Sequence, residues 1–491
     1  MTRRKHRAAA ALAAAALAQA CSLGPKYRRP QTLSAPAFKE AAAVGDGIWR
    51  PAEPSDRLAR GKWWEIFHDP RLNELESRAE RANQTVAQAA AQYREARDQL
   101  AYARSTYFPT LSLSPSLQRM KVNAGFSGRF NNFDFPAAAT WQPDFWGAIG
   151  LNVDIAAAGA AAGAAQLESA RLGVQSELAA DYFQLREADM EEVLLSSAIA
   201  SYRVALDLTR NRFNAGIASQ ADVIQARTQL DATLAQATDL ALTRAQLEHA
   251  IAALIGVPAS AFSLSTGAIA GVPPPIPVGL PSQLLERRPD VAAAERQVAA
   301  ANATVGLTRV AFFPAISLTA SGGLQSADFE QWFAWPQRAW SLGAASALTL
   351  FNFGGLQAEL HGAKAAYDAS VAAYRQTVLS AFQSVEDQLA ALSYLSLESS
   401  QQDAATRESE LALVLEMQRY KGGVDSYLNV ITQQNITLGD ERASVQLLGR
   451  RMVSAVSLIN ALGGGWDQSL IPRGRALASD KDPGDAKPAS R

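Results

Sequence analysis

Two stretches of the chain alternate apolar and hydroxylated residues. Leu111, Leu113 and Leu117 interleave with Ser112, Ser114 and Ser116, and far downstream Ile316, Leu318 and Ala320 interleave with Ser317, Thr319 and Ser321. A period of two sends each kind of residue to its own face of a strand. A second strand-like stretch follows each, so strands are expected at about 109–123, 135–147, 314–325 and 342–354. Each is about ten residues or a little longer, the length of a tilted membrane-spanning β-strand. Small polar residues on one face suit a wet lumen and apolar ones suit lipid, although soluble sandwiches alternate in the same way. The connectors are rich in Gly, Asn and aromatics. Trp332, Trp335 and Trp340 suit a membrane interface as well as they suit an ordinary soluble loop.

Elsewhere the pattern is helical. Residues 72–103 and 291–308 read as helices that stop before Phe108-Pro109 and Phe313-Pro314, because proline disfavours helix at its predecessor. Residues 151–214 and 356–421 contain no proline and read as single helices, each roughly 95–100 Å long at 1.5 Å per residue. Globular helices average about eleven residues. Gly216 and Gly423 then supply turns, and return helices run to Ile255 and Leu462. The result is two long, coiled-coil-like hairpins.

The two sets of elements are copies of one unit. Arg212-Phe213-Asn214-Ala215-Gly216 recurs as Arg419-Tyr420-Lys421-Gly422-Gly423, Asp222-Val223-Ile224 as Asn429-Val430-Ile431, and Asp144-Phe145-Trp146-Gly147 as Phe351-Asn352-Phe353-Gly354, all at one offset. The expected organisation is a signal peptide at 1–20, an extended segment at 21–60, a first repeat at 61–257, a Pro/Gly/Ser-rich linker at 258–282, a second repeat at 283–465 and a polar tail at 466–491.

Charge and chemistry narrow the function. The net charge of −1 argues against a nucleic-acid partner. The lone cysteine, Cys21, follows Arg3, Arg4, Lys5 and Arg7, the apolar run 8–18 and Ala20. That is a secretory signal layout, with Cys21 as a lipid attachment point, or else with an ordinary cut near Ala20. No later stretch approaches eighteen apolar residues, so no membrane-spanning helix is expected. The four histidines form no metal-ligand spacing, and no nucleophile elbow or phosphate loop is present, so neither a catalytic site nor a cofactor is expected. Arg287-Arg288 reads as a surface turn ahead of Pro289. Four strands are too few to close a barrel, and open edges are not tolerated in lipid. Several copies must therefore pool their strands, and the channel-like polar face favours three over two.

Several motifs carry a resemblance. These are Gly24-Pro25-Lys26-Tyr27-Arg28-Arg29-Pro30, Trp64 with Phe67, Asp69-Pro70 and Leu72, Leu285-Glu286-Arg287-Arg288-Pro289-Asp290-Val291, Phe313-Pro314-Ala315-Ile316, and Arg419-Tyr420 with Gly423, Tyr427-Leu428 and Val430. Over about residues 21–465 the chain resembles the TolC-like outer-membrane factors, in their lipoprotein drug-efflux branch. The resemblance implies a homotrimer, mainly α with a membrane β-barrel, in which a twelve-stranded barrel stands on a periplasmic helical tube. It implies an outer-membrane lipid anchor, a periplasmic adaptor, an inner-membrane pump, and a constriction at the tip near Gly216 and Gly423. Leu428 matches an apolar gate position. Where the family commonly carries carboxylates this chain has Asn429 and Thr432, which leaves Asp425 and Asp222 as the nearest acids that could form a charged ring. Asp222 also reads as a helix-start acid. The competing readings are a structural periplasmic coiled-coil lipoprotein without transport, and an enzyme on a helical scaffold.

Overall fold

The computed structural model describes residues 24–32, 38–40, 61–122, 128–276 and 288–465. The signal segment, Cys21 and the tail at 466–491 lie outside the described residues, as does most of 33–60.

Helices α1 (Pro70–Ala82) and α2 (Gln84–Ser105) come first. Strands β1 (Thr110–Leu113), β2 (Ser116–Val122) and β3 (Gly128–Trp141) lead into α3 (Ala148–Asn214) and α4 (Gln220–Leu254). The second repeat supplies α5 (Pro289–Val310), β4 (Ala315–Ser326), β5 (Arg338–Ala347), α6 (Gly355–Lys421) and α7 (Tyr427–Ala461). The long helices α3 and α6 have 67 residues each, about 100 Å of helix. Both begin after a glycine with positive φ, Gly147 and Gly354.

The sheet is antiparallel, in the order β1–β3–β4–β5, with β2 also on β3. β1 and β2 share one register: Thr110 faces Thr140, Leu113 faces Ala137, Ser116 faces Asp134 and Val122 faces Gly128. Ser114 N–H donates to Pro136 O between them. They are one strand position, interrupted at Pro115, which has no N–H to give. The second strand of each repeat lies earlier than its pattern suggests, at 128–141 instead of 135–147 and at 338–347 instead of 342–354. The chain leaves the sheet before the aromatic run 351–353, where Phe353 takes φ 53°.

Residues 72–103 are likewise not one helix. Asn83 leaves the helical region (φ −67°, ψ 128°) and caps the next helix by accepting from Val86 N–H. Its Nδ2 donates to Leu254 O, 2.8 Å away at the end of α4. Gly256 meets the same joint at φ 73°, and a Cβ there would stand 2.3 Å from Ala82 O. The second repeat makes its joint with Arg288, whose Nη1 donates to Ala461 O at 2.8 Å while Nε and Nη2 hold Asp290. Arg288 is therefore a half-buried helix cap and not a surface turn, and a cation suits the negative end of α7. Through these joints α4 meets α1–α2 and α7 meets α5.

The main core surrounds the joints. Trp63, Trp64, Phe67, Leu72 and Leu75 pack with Leu178 and Phe183 of α3, Val385 and Leu389 of α6, and Met452 and Leu458 of α7. Asp69 caps α1 and accepts from Tyr182 Oη at 2.6 Å. Each fully buried large apolar side chain contributes about 1.5–3 kcal/mol. The inter-repeat linker adds Leu264, Ile269 and Ile276 to this core. It is strapped down by a buried ion cluster, in which Asp189 accepts from Arg186, Arg244 and Gly267 N–H.

Among the described residues, α3 is the one helix long and apolar enough to cross a membrane, contrary to the expectation that none would be. Its apolarity is mostly alanine. Ala160, Ala161 and Ala165 are buried against neighbouring helices, including Ala292 and Ala293 of α5, so the stretch is a close-packing surface within the protein.

Glu76 is fully buried in α1, and neither carboxylate oxygen has a partner among the described residues. Burial, with Glu80 nearby, pushes its carboxyl up to about 9. Below the ordinary carboxylate range the group is protonated in both folded and unfolded chains and costs nothing extra. As pH rises, only the unfolded chain releases the proton, so stability falls. Glu76→Gln is expected to flatten this loss by roughly 2–4 kcal/mol between about pH 5 and 9. Thermal unfolding followed by circular dichroism across that range checks it.

Candidate functional site

Strand register sorts the sheet into two chemically distinct faces. Cross-strand partners share a face. One face therefore carries Leu111, Leu113, Leu117, Phe133, Phe135, Trp141, Leu318, Leu324, Trp340 and Leu342. The other carries Ser112, Ser116, Gln118, Asn132, Asp134, Thr140, Ser317, Thr319, Ser321, Gln325 and Ser341. The apolar face is bare: Leu111 is 77 % exposed, Trp340 77 % and Leu342 75 %. Its far end is edged by aromatics of the β4–β5 connector. Trp332 packs on Phe133 and Phe135, Phe333 packs on Phe135, and Trp335 stands exposed.

Among the described residues no strand lies beside the outer edges of β1–β2 and of β5. Unpaired N–H and C=O groups cannot remain open in hydrocarbon.

At the opposite end of the molecule the two hairpins turn. Both turns are Schellman motifs. Gly216 N–H donates to Phe213 O and Ile217 N–H to Arg212 O; Gly423 N–H donates to Tyr420 O and Val424 N–H to Arg419 O. Gly216 and Gly423 take φ 77° and 74°, which a β-carbon disfavours. A small core joins the hairpins there: Tyr202 and Leu206 of α3, Ala226 and Leu230 of α4, Tyr420 of α6, and Tyr427, Val430 and Ile431 of α7. The rings of Tyr420 and Tyr427 lie 5.2 Å apart, and the Arg212 guanidinium lies 4.5 Å over Tyr420. Burial pushes the Tyr427 hydroxyl up to about 12. Gln229 and Asn435 exchange amide hydrogen bonds between α4 and α7. Higher up, Glu191 of α3 takes Arg442 and Gln446 of α7.

The acids at the two turns sit differently. Asp222 closes a capping box: it accepts from Ser219 N–H at 2.9 Å, while Ser219 Oγ accepts from Asp222 N–H at 3.2 Å. In the second repeat Asn429 occupies that position and donates instead to Asp425. Asp425 also accepts from Ser426 N–H and pairs with Arg419 Nη2 at 2.9 Å. The Ser426 N–H holds its carboxyl below the usual range, helped by Arg419 and Asn429. Thr432 bonds back to Leu428 O, and Leu428 itself is 50 % exposed on the first turn of α7. Leu428, Asn429, Thr432 and Asp425 thus converge on one turn, with Asp222 on the neighbouring one. The partner that sequence reasoning missed is Arg419, visible there only as part of the repeated Arg-aromatic pair.

A sheet with a lipid-type face, a polar face and two open edges, joined to a long helical hairpin pair, is the protomer of an outer-membrane channel. The comparisons agree. The family model "Outer membrane efflux protein" matches residues 75–257 and 280–464, and the chain belongs to that family. It is 30% identical over 458 residues to the toluene efflux pump outer membrane protein TtgC of Pseudomonas putida, covering 91% of this chain and 93% of that one. It is 31% identical to outer membrane protein OprJ of Pseudomonas aeruginosa, covering 91% and 94%. The solved outer-membrane channel OprN superposes with a TM-score of 0.82 at 28% identity, over 91% of this chain and all of that one. The protein is thus an outer-membrane channel of an efflux system, and the family is one of channels.

The Arg419–Asp425 pair masks the acid. Arg419→Ala is expected to shift the channel's reversal potential toward cation selectivity, and Asp425→Asn to shift it the other way. Bilayer recordings under a salt gradient read both.

Proposed function

We propose that three copies close one twelve-stranded barrel, and that their hairpins form a periplasmic tube through which small molecules leave the cell. The observation that carries this reading is the pair of unpaired edges, β1–β2 and β5, beside a bare apolar face. An eight-stranded barrel is filled by side chains, whereas a larger one leaves a channel. The polar face of small hydroxyl and amide groups suits a water-filled lumen. Hydrophobic and aromatic compounds are the cargo class that fits, because the relative at 30% identity is named for toluene efflux. The duct performs no catalytic step and draws its energy from an inner-membrane pump, reached through a periplasmic adaptor that docks near the Gly216 and Gly423 turns.

Lipid attachment at Cys21 fits the same picture. Gly24 lies against Leu151 at the start of α3 and against Gly306 of α5. The segment after Gly24 is tied down: Asn302 Nδ2 donates to Pro25 O, Tyr27 Oη donates to Glu295, and Arg29 Nε donates to the Tyr374 hydroxyl. Cys21→Ala is expected to abolish incorporation of labelled fatty acid while leaving a heat-modifiable oligomer on gels.

The tip is the gate of this duct, with Leu428 as its apolar constriction and Asp425 and Asp222 as its acids. Leu428→Ser, combined with Asp425→Ala, is expected to raise single-channel conductance roughly several-fold by replacing a dewetting contact with a wetted one. Conductance equal to that of the wild-type protein counts against this gate. A monomeric, water-soluble protein that retains its sheet counts against the duct.

A further inference from the structure

Among the residues whose side chains are described, three cations stand on the face that lipid should cover. Arg119 and Lys121 extend the row Leu111, Leu113, Leu117 to the far end of β2, and Arg338 opens β5 on the same face. All three are exposed. Among the described residues no carboxylate pairs with any of them: Asp134 points to the polar face, and the salt bridges lie elsewhere. Arg338 stacks 4.3 Å over the ring of Trp335, which is 72 % exposed. An unpaired charge facing lipid is costly at mid-membrane and tolerated toward the interface. These three lie at the end away from α3 and α6, beside the aromatic connector, at the outer-leaflet headgroup level.

Their positions in the sheet add a second point. β2 and β5 are its two edge strands. In the three-copy barrel argued above, on which this inference rests, β5 of one copy runs beside β1–β2 of the next. Each seam then gathers Arg338 from one copy and Arg119 and Lys121 from its neighbour. We propose that each seam is a binding site for the phosphate of a phosphorylated glycolipid in the outer leaflet. Guanidinium groups fork phosphate oxygens, and a lysine adds a point charge. Trp335 and Trp340 supply flat apolar surface beneath the headgroup, and the bare Leu342 lies on the same face for acyl chains. The lipid would staple adjacent copies where the strand edges meet.

The test uses the full-length oligomer in a neutral detergent, with bisphosphorylated lipid A as probe and native mass spectrometry as readout. The wild-type protein is expected to retain lipid A, and Arg119→Gln/Lys121→Gln/Arg338→Gln to bind it roughly tenfold more weakly or worse. Equal retention by the variant overturns the proposal. Equal binding of dephosphorylated lipid A overturns it in favour of apolar packing, and displacement by inorganic phosphate at matched concentration overturns it in favour of a free-anion site. Should the triple variant not assemble, Arg338→Gln alone is expected to weaken retention and Arg338→Lys to keep part of it; equal retention by both single variants and wild type overturns the proposal. Conductance in bilayers of zwitterionic lipid reads the duct separately. A conducting oligomer that ignores lipid A sinks only the lipid site, whereas a wild-type protein that forms no oligomer sinks the duct reading.

Discussion

The structure turns on backbone hydrogen bonding in a solvent that offers none. Among the described residues, a four-position sheet leaves one row of N–H and C=O groups open on each side, and hydrocarbon cannot satisfy them. Only a neighbouring copy can. The rest follows from that demand. Each repeat brings one antiparallel pair, each pair hands its chain directly to a long helix, and the two faces are sorted by alternate residues into a lipid side and a water side. The short hydroxylated side chains of the water side keep the enclosed space open.

Below the sheet the same chain solves a different problem, that of keeping four helical columns, two of them single helices and two of them jointed, side by side over about 100 Å. It does so at separate levels. Near the joints, aromatic and aliphatic side chains from every helix of the body except α5 share one core. At mid-height Glu191 takes Arg442 and Gln446 across the hairpins. At the tip a second apolar cluster, which includes three tyrosines, closes the bundle. Between these levels many side chains on the helices are exposed, as on surfaces that face water or another protomer.

Much of this was legible in the sequence because it is periodic or repeated. Alternation revealed the faces, absence of proline revealed the length of α3 and α6, and the paired Arg-aromatic-x-x-Gly motifs revealed the turns. What was hidden depended on contacts between distant segments. Asn83 interrupts a helix-forming stretch because it bonds to the end of α4, more than a hundred residues away. Arg288 looked like a charged turn residue until its carbonyl partner on α7 was in view. The upper end of β3 carries Asn131, Asn132 and Asp134, which read as loop, and they continue the strand because β2 is there to pair with them. At the tip, Asp425 and Asn429 were visible as residues, but their mutual bond and the Arg419 pairing were not.

The joints at Asn83 and Arg288 divide the helical layer unequally. α3 and α6 run unbroken from the sheet to the tip, whereas α4 and α7 end halfway and meet α1–α2 and α5 across single side-chain bridges. A load applied at the tip therefore reaches the sheet along two continuous rods, whereas the other two columns pass it through the packed couplings at Asn83 and Arg288.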